Sequence, residues 1–227
     1  MNKFKLGIAA IVCAAIIAAA PAQSAPAASI HIRGTVKSVS ASMLAITTSS
    51  GVSAGVVMVA LHRPLTVMDI VPASRSLITS GRFVGITSVL SATGVQRAVE
   101  VHVFPESMRG AGEGSRPWDY PGVSSMRSKM TNGTVALAGH SQSRMTNGTI
   151  SRSAGGSEIV VSYKSATGSG AQTIVIPPGI PIVTFHPGSP ADLKPGASVF
   201  VMATRGAAGS LTAARVMVGK DGAKPPM

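Results

Sequence analysis

Residues 81–103, GRFVGITSVLSATGVQRAVEVHV, and residues 196–218, GASVFVMATRGAAGSLTAARVMV, decide the fold, because the second is a diverged copy of the first. Gly81 stands over Gly196, and Ala98 over Ala213. Between these anchors Val84 matches Val199 and Ile86 matches Val201; beyond them Val99, Val101 and Val103 match Ala214, Val216 and Val218. Apolar residues at every second position mark strands that turn one face to a core. Their recurrence at long spacing marks a duplicated structural unit.

Working outward, the unit opens at Gly34-Thr35-Val36, which matches Gly148-Thr149-Ile150. Alternating apolar residues between Gly, Ser and Pro turns predict strands near 32–39, 43–48, 56–62, 82–90 and 96–103. The second copy repeats them near 147–152, 158–164, 172–176, 197–204 and 211–218. Ser189-Pro190-Ala191-Asp192-Leu193 reads as a single helical turn, with a Ser cap, Pro at the first helical position and Pro195-Gly196 to end it. Its counterpart is Ser74 to Leu77. Five short strands with a helical turn before the fourth predict a small OB-like barrel, which closes its own edges. The expected fold class is all-β, two tandem small OB-like β-barrels joined by a long irregular linker after an N-terminal signal peptide. The expected boundaries are 1–22 for the signal, 30–104 for the first barrel, 105–130 for the linker, 131–220 for the second barrel and 221–227 for a flexible tail.

The Gly-Thr-Val openings, the Asp-Leu-Lys-Pro-Gly turn and the linker VFPESMRGAGEGSRPWD (residues 103–119) resemble a group of exported bacterial proteins. Their repeat is a domain of unknown function thought to be OB-like. The resemblance covers residues 31–222 and implies a fold and an exported location, with no established activity. Some of its members carry the label of a metal ABC transporter permease, which the absence of spanning helices in this sequence does not support. This chain departs from the group in a second, earlier Met130-Thr131-Asn132-Gly133-Thr134-Val135, so the second domain has two candidate starts.

Composition narrows the function classes. The chain has 227 residues, with 20 Lys+Arg against 8 Asp+Glu for a formal charge of +12. Its 45% hydrophobic content argues against a charged disordered chain, and 25 Gly with 15 Pro argue against long helices. Lys3 and Lys5 precede an apolar run from Leu6 to Ala20 and an Ala20-Pro21-Ala22 site, the three parts of an export signal. The run falls short of the roughly 20 apolar residues of a comfortable span. Cleavage after Ala22 removes Cys13, Lys3 and Lys5, which leaves a thiol-free chain whose charge falls from +12 to +10. The next apolar run, Val56 to Leu61, is only strand-sized, so no transmembrane helix is expected in the mature chain and the location is periplasmic or extracellular.

Unusual residues gather in the linker: Arg109, Glu113, Arg116, the only Trp (Trp118), Asp119 and Tyr120. A connection this long either straps two barrels together or lines a ligand cleft between them. Arg127, Lys129, Arg144 and Arg152 follow in an acid-free stretch suited to an anionic envelope polymer or a protein partner. Nucleic acid is not expected, because Phe83, Phe200 and Tyr163 are too scattered to make a stacking platform. On the last strand of the first unit Glu100 and His102 share the face opposite Val99, Val101 and Val103, and Glu106 follows; these three are the candidate metal ligands. No catalytic residue is assigned and no cofactor is expected: the mature chain has no thiol and no G-x-S-x-G. The leading expectation is an exported non-enzymatic binding or envelope-associated module. The alternatives are a periplasmic metal-handling protein and an enzyme with a cleft at the domain junction.

Overall fold

Alternation along 81–103 and 196–218 becomes sheet, and strand is the main regular structure among the described residues. A computed structural model describes residues 29–48, 55–124, 126–136, 157–166 and 168–225. The strands are β1 (Ser29–Val39), β2 (Met43–Thr48), β3 (Gly55–Pro72), β4 (Phe83–Leu90), β5 (Gln96–Val103) and β6 (Gly114–Pro117), then β7 (Ser128–Ala136), β8 (Ser157–Ser165), β9 (Gly168–Ile176), β10 (Ile182–Pro187), β11 (Ser198–Arg205) and β12 (Leu211–Gly219). The helical turn read at Ser189 is a 3-10 turn, Pro190–Asp192, with a complete capping box. Its counterpart is Arg75–Leu77, capped by Ser74.

The strands close into a barrel, but not in the expected order. β1 pairs antiparallel with β2 and β11, β2 with β3, and β11 with β12. β12 then closes the ring on β3 in parallel, from Thr212↔Ala60 to Gly219↔Ile70. The first three strands of one copy thus take their last two from the other. The remaining strands repeat the pattern reciprocally: β4 pairs with β5 and β7, β7 with β8, β8 with β9, and β5 touches β9 in parallel at Arg97↔Val175. Five consecutive strands closing within 30–104, and again within 131–220, is therefore not the pairing found. The physical reason is that β11 presents β1 with the same alternation that β4 would, so both connections bury the same stripe.

The chain crosses between rings at β3 and β10. These two pair antiparallel from Val183↔Pro72 to Pro187↔Met68, and β10 also pairs in parallel with β5. After β3 the next turn places Leu77 and Ile78 against the second ring's core; after β10 the equivalent turn places Leu193 in the first.

The exchange also corrects the match of the openings. Gly34 lies opposite Val199, and Gly133 lies opposite Val84. Val36 O accepts Gly196 N–H at 2.9 Å, as Val135 O accepts Gly81 N–H at 2.8 Å. Gly133-Thr134-Val135 therefore opens the second unit; the matched Gly148 and the strand expected at 147–152 lie outside the described residues. Both glycines are required by close approach. A Cβ would stand 2.2 Å from Thr47 O at Gly34 and 2.3 Å from Ser162 O at Gly133. The linker is shorter and more ordered than expected: β7 begins at Ser128, a 3-10 turn spans Glu106–Met108, and β6 pairs with β7.

Each ring has its own core. Ile32, Val36, Leu44, Ile46, Val59, Val199 and Val201 are among those filling the first, and Val84, Ile86, Val101, Val103, Val161 and Ile174 fill the second. Each such side chain contributes about 1.5–3 kcal/mol of burial free energy. Among the described residues no helix is long and apolar enough to cross a membrane.

Candidate functional site

A third apolar cluster lies outside both rings. It joins Ile70, Phe83, Phe104, Trp118, Met130, Val183, Phe185, Phe200 and Met217. They come from β3, β4, β7, β10, β11 and β12, with Phe104 just past β5 and Trp118 supplied by the linker itself, which packs over the outer faces of the rings. Trp118 is only 6% exposed, its ring 4.3 Å from the His31 ring, and the Arg116 guanidinium lies 5.5 Å from its centroid on the indole.

Paired side chains hold the linker down on both rings. On the first, Asp119 accepts from Arg33 Nη2 at 3.0 Å and lies 2.7 Å from His31 Nδ1. Burial opposes ionisation of Asp119, but the hydrogen bonds from Arg33 and His31 outweigh it and hold its pKa below the ordinary carboxylate value. On the second, Arg109 donates to Gly81 O at 2.9 Å and pairs with Glu106, whose pKa that hydrogen bond lowers. Glu113 accepts the Lys164 amide at 2.9 Å, and Ser128 Oγ donates to Trp118 O at 2.8 Å. Tyr120 packs against the central cluster.

Between the rings and beneath the linker is a cavity of about 120 Å³. Its apolar wall is Phe104, Phe185 and Phe200; its sulfur atoms are those of Met108, Met130, Met202 and Met217; its polar edge is His102, Arg116, Trp118, Asn132 and Arg215. Burial lowers the Arg116 pKa, and its guanidinium donates to Gly112 O at 2.8 Å. Trp118 Nε1 and Asn132 Oδ1 are buried without a hydrogen-bond partner among the described residues. Linker residues and both rings therefore converge on one pocket, the arrangement that a ligand cleft requires.

The expected site residues divide. Arg116 and Trp118 line the cavity, while Arg109, Glu113, Asp119 and Tyr120 fasten the linker over it. Arg127 is exposed and donates to Leu90 O at 2.8 Å, and Lys129 lies near it on β7; Arg144 and Arg152 lie outside the described residues. Glu100 and His102 do face away from the ring interior, but each is 2% exposed, and Glu100 Oε1 lies 2.7 Å from His102 Nε2. Alternation locates the face without revealing that a second layer covers it. Glu106 does not join them, being engaged with Arg109 at the surface. Among the described residues no three His, Cys, Asp or Glu side chains come together to hold a metal ion. The methionines of the cavity carried no signal in the sequence, because Met108, Met130 and Met217 are far apart along the chain.

Chemically the pocket offers soft and aromatic surface with a few polar atoms. Ser128 is tied to the Trp118 carbonyl, and the linker acids Glu106, Glu113 and Asp119 are each engaged by a partner in the protein. Compared with protein-family models, curated proteins and solved structures, the chain matches none of them.

Proposed function

We propose that this protein is an exported, non-enzymatic binding module built from two OB-like rings, which associates with an anionic envelope polymer. The observation that carries this reading is a set of cations at one end of the second ring, Arg97, Arg127 and Lys129, none of which has an acidic partner among the described residues. Register brings them together: Arg97 lies opposite Val89, Lys129 opposite Ser88, and the Leu90 amide donates to Arg127 O at 2.7 Å.

Five of the eight acids that could neutralise such a surface are paired within the molecule. Glu100 pairs with His102, Glu106 with Arg109, Asp119 with Arg33, and Asp69 and Asp192 with Lys220. The surplus behind the +10 charge of the mature chain is therefore displayed outward, where it attracts a polyanion over about a Debye length of 8–10 Å. The basic n-region, apolar run and Ala20-Pro21-Ala22 site support export, and the linker's resemblance to exported OB-like proteins supports the ring type.

Heparin affinity chromatography of the mature chain tests the reading. The wild type is expected to bind at low salt and elute as salt rises. Replacing Arg127, Lys129, Arg144 and Arg152 with Ser lowers the eluting salt concentration; unchanged elution by this variant defeats the proposal.

A further inference from the structure

We infer that the cavity between the rings is a binding site for a soft monovalent cation, Cu(I) or its analogue Ag(I), held by His102 and methionine thioethers. This goes beyond the polyanion reading, and it concerns a different surface.

The first observation is the sulfur. Met108, Met130, Met202 and Met217 come from the linker, β7, β11 and β12 and line one space of about 120 Å³. Methionine fills gaps in ordinary cores, so four thioethers alone would be packing. The second observation is the histidine among them. His102 Nε2 is fixed by the buried Glu100 carboxylate at 2.7 Å, and its ring makes no other hydrogen bond among the described residues. Nε2–H donation to a carboxylate leaves Nδ1 with its lone pair free, the arrangement by which an outer carboxylate orients a metal-binding histidine.

The donor set then selects the ion. Zinc, manganese and other divalent cations want carboxylate, thiolate or several imidazoles, and the described residues bring no such group together. Neutral thioethers with one imidazole favour Cu(I). Loss of Cys13 with the signal leaves no thiol to compete, and thioethers persist in an oxidising compartment where thiols do not. Met130 Sδ already accepts the Thr87 hydroxyl at 3.8 Å, so Met108, Met202 and Met217 complete the set with His102.

Charge is compatible. Glu100 places an acidic oxygen 2.7 Å behind His102. Of the two cations at the cavity edge, Arg116 is engaged with Gly112 O and the Trp118 ring, and Arg215 is exposed.

The test is titration of the full mature chain with Ag(I) in air and with Cu(I) under anaerobic conditions against a competing chelator. Methionine methyl NMR reports the ligands. One ion is expected to bind, shifting the methyl signals of Met108, Met202 and Met217. The double substitution Met108→Leu with Met217→Leu keeps volume and apolarity, so it folds; it is expected to weaken binding by more than about 100-fold, beyond the usual cost of outer-shell changes. Glu100→Gln keeps an acceptor for His102 and weakens binding about tenfold. Failure to bind either ion overturns the inference. So does binding that survives the double substitution, or that follows the exposed Met126 instead. None of these outcomes touches heparin retention, so the two proposals stand or fall separately.

Discussion

The two rings place equivalent positions in opposite chemical settings. Inside, they agree: Val36 and Val135, Ile46 and Val161, Val199 and Val84, Ala213 and Ala98, Val216 and Val101 fill matching sites with nearly the same volume. Outside, they part. The first ring carries His31 and Arg33 on β1, Phe200 and Met202 on β11, and Arg215 and Met217 on β12. The second carries Met130 and Asn132 on β7, Gly85 and Thr87 on β4, and Glu100 and His102 on β5. Interiors answer to the same packing problem in each ring, so matching volumes solve it in both. The outer faces enclose a shared layer, and there complementarity requires difference: Phe200 stands where its twin is Gly85, and buried Glu100 stands where its twin is exposed Arg215. The chemistry of the molecule lies in that difference.

The comparison breaks most directly at Glu100 and Arg215. Glu100→Ala leaves buried His102 without its partner and is expected to cost about 3–5 kcal/mol. Arg215→Ala, at the equivalent but exposed position, is expected to stay within about 0.5 kcal/mol. Urea unfolding of the two variants measures both, and equal losses would end the claim that the outer faces differ in kind. Gly34→Ala and Gly133→Ala probe the symmetry instead. Each pushes a Cβ into a backbone carbonyl oxygen, so each is expected to cost about 3 kcal/mol. A large cost in one ring alone would show that the second opening is not equivalent to the first.

Much of this was legible in the sequence, and the failures share a cause. Alternation at Val84, Ile86, Val199 and Val201 located strands to within a residue or two, and Ser189-Pro190 located a real capped turn. Exchange of strands was illegible, because β4 and β11 carry the same stripe and would satisfy β1 equally. β10 was missed because Ile182 to His186 is a short run bracketed by Pro181 and Pro187, which reads as loop. The cavity was invisible for a similar reason. Alternation reports which side of a strand faces its own ring, not what covers the other side, so Glu100 and His102 read as surface and the methionines as unrelated.

Closure also separates the rings, and hydrogen exchange sharpens the contrast. β12 and β3 share seven paired positions, whereas β5 and β9 meet only at Arg97↔Val175 and β7 pairs with β8 only over residues 134–136. A ring fastened at fewer points opens below the global transition. Amides of β8 and β9 are therefore expected to exchange about tenfold faster than those of β2 and β3. Uniform protection across both rings would show that β10 and the linker equalise them.

The smallest expected effect concerns the first ring's hold on the linker. Asp119 has a pKa below that of an unfolded carboxyl, so its contribution to stability is present above about pH 4 and is lost as pH falls through the folded pKa. The group is half-exposed, so its pairing with Arg33 and His31 is worth about 1 kcal/mol or less. Trp118 is the only indole and packs on His31, so its emission reports whether the linker is seated. In the wild type the emission is expected to shift below about pH 4. Asp119→Asn should weaken seating at neutral pH and abolish this acid transition, while leaving Arg109 and the contact with the second ring in place. A transition that persists unchanged in the variant would assign the seating to the buried indole rather than to the carboxylate.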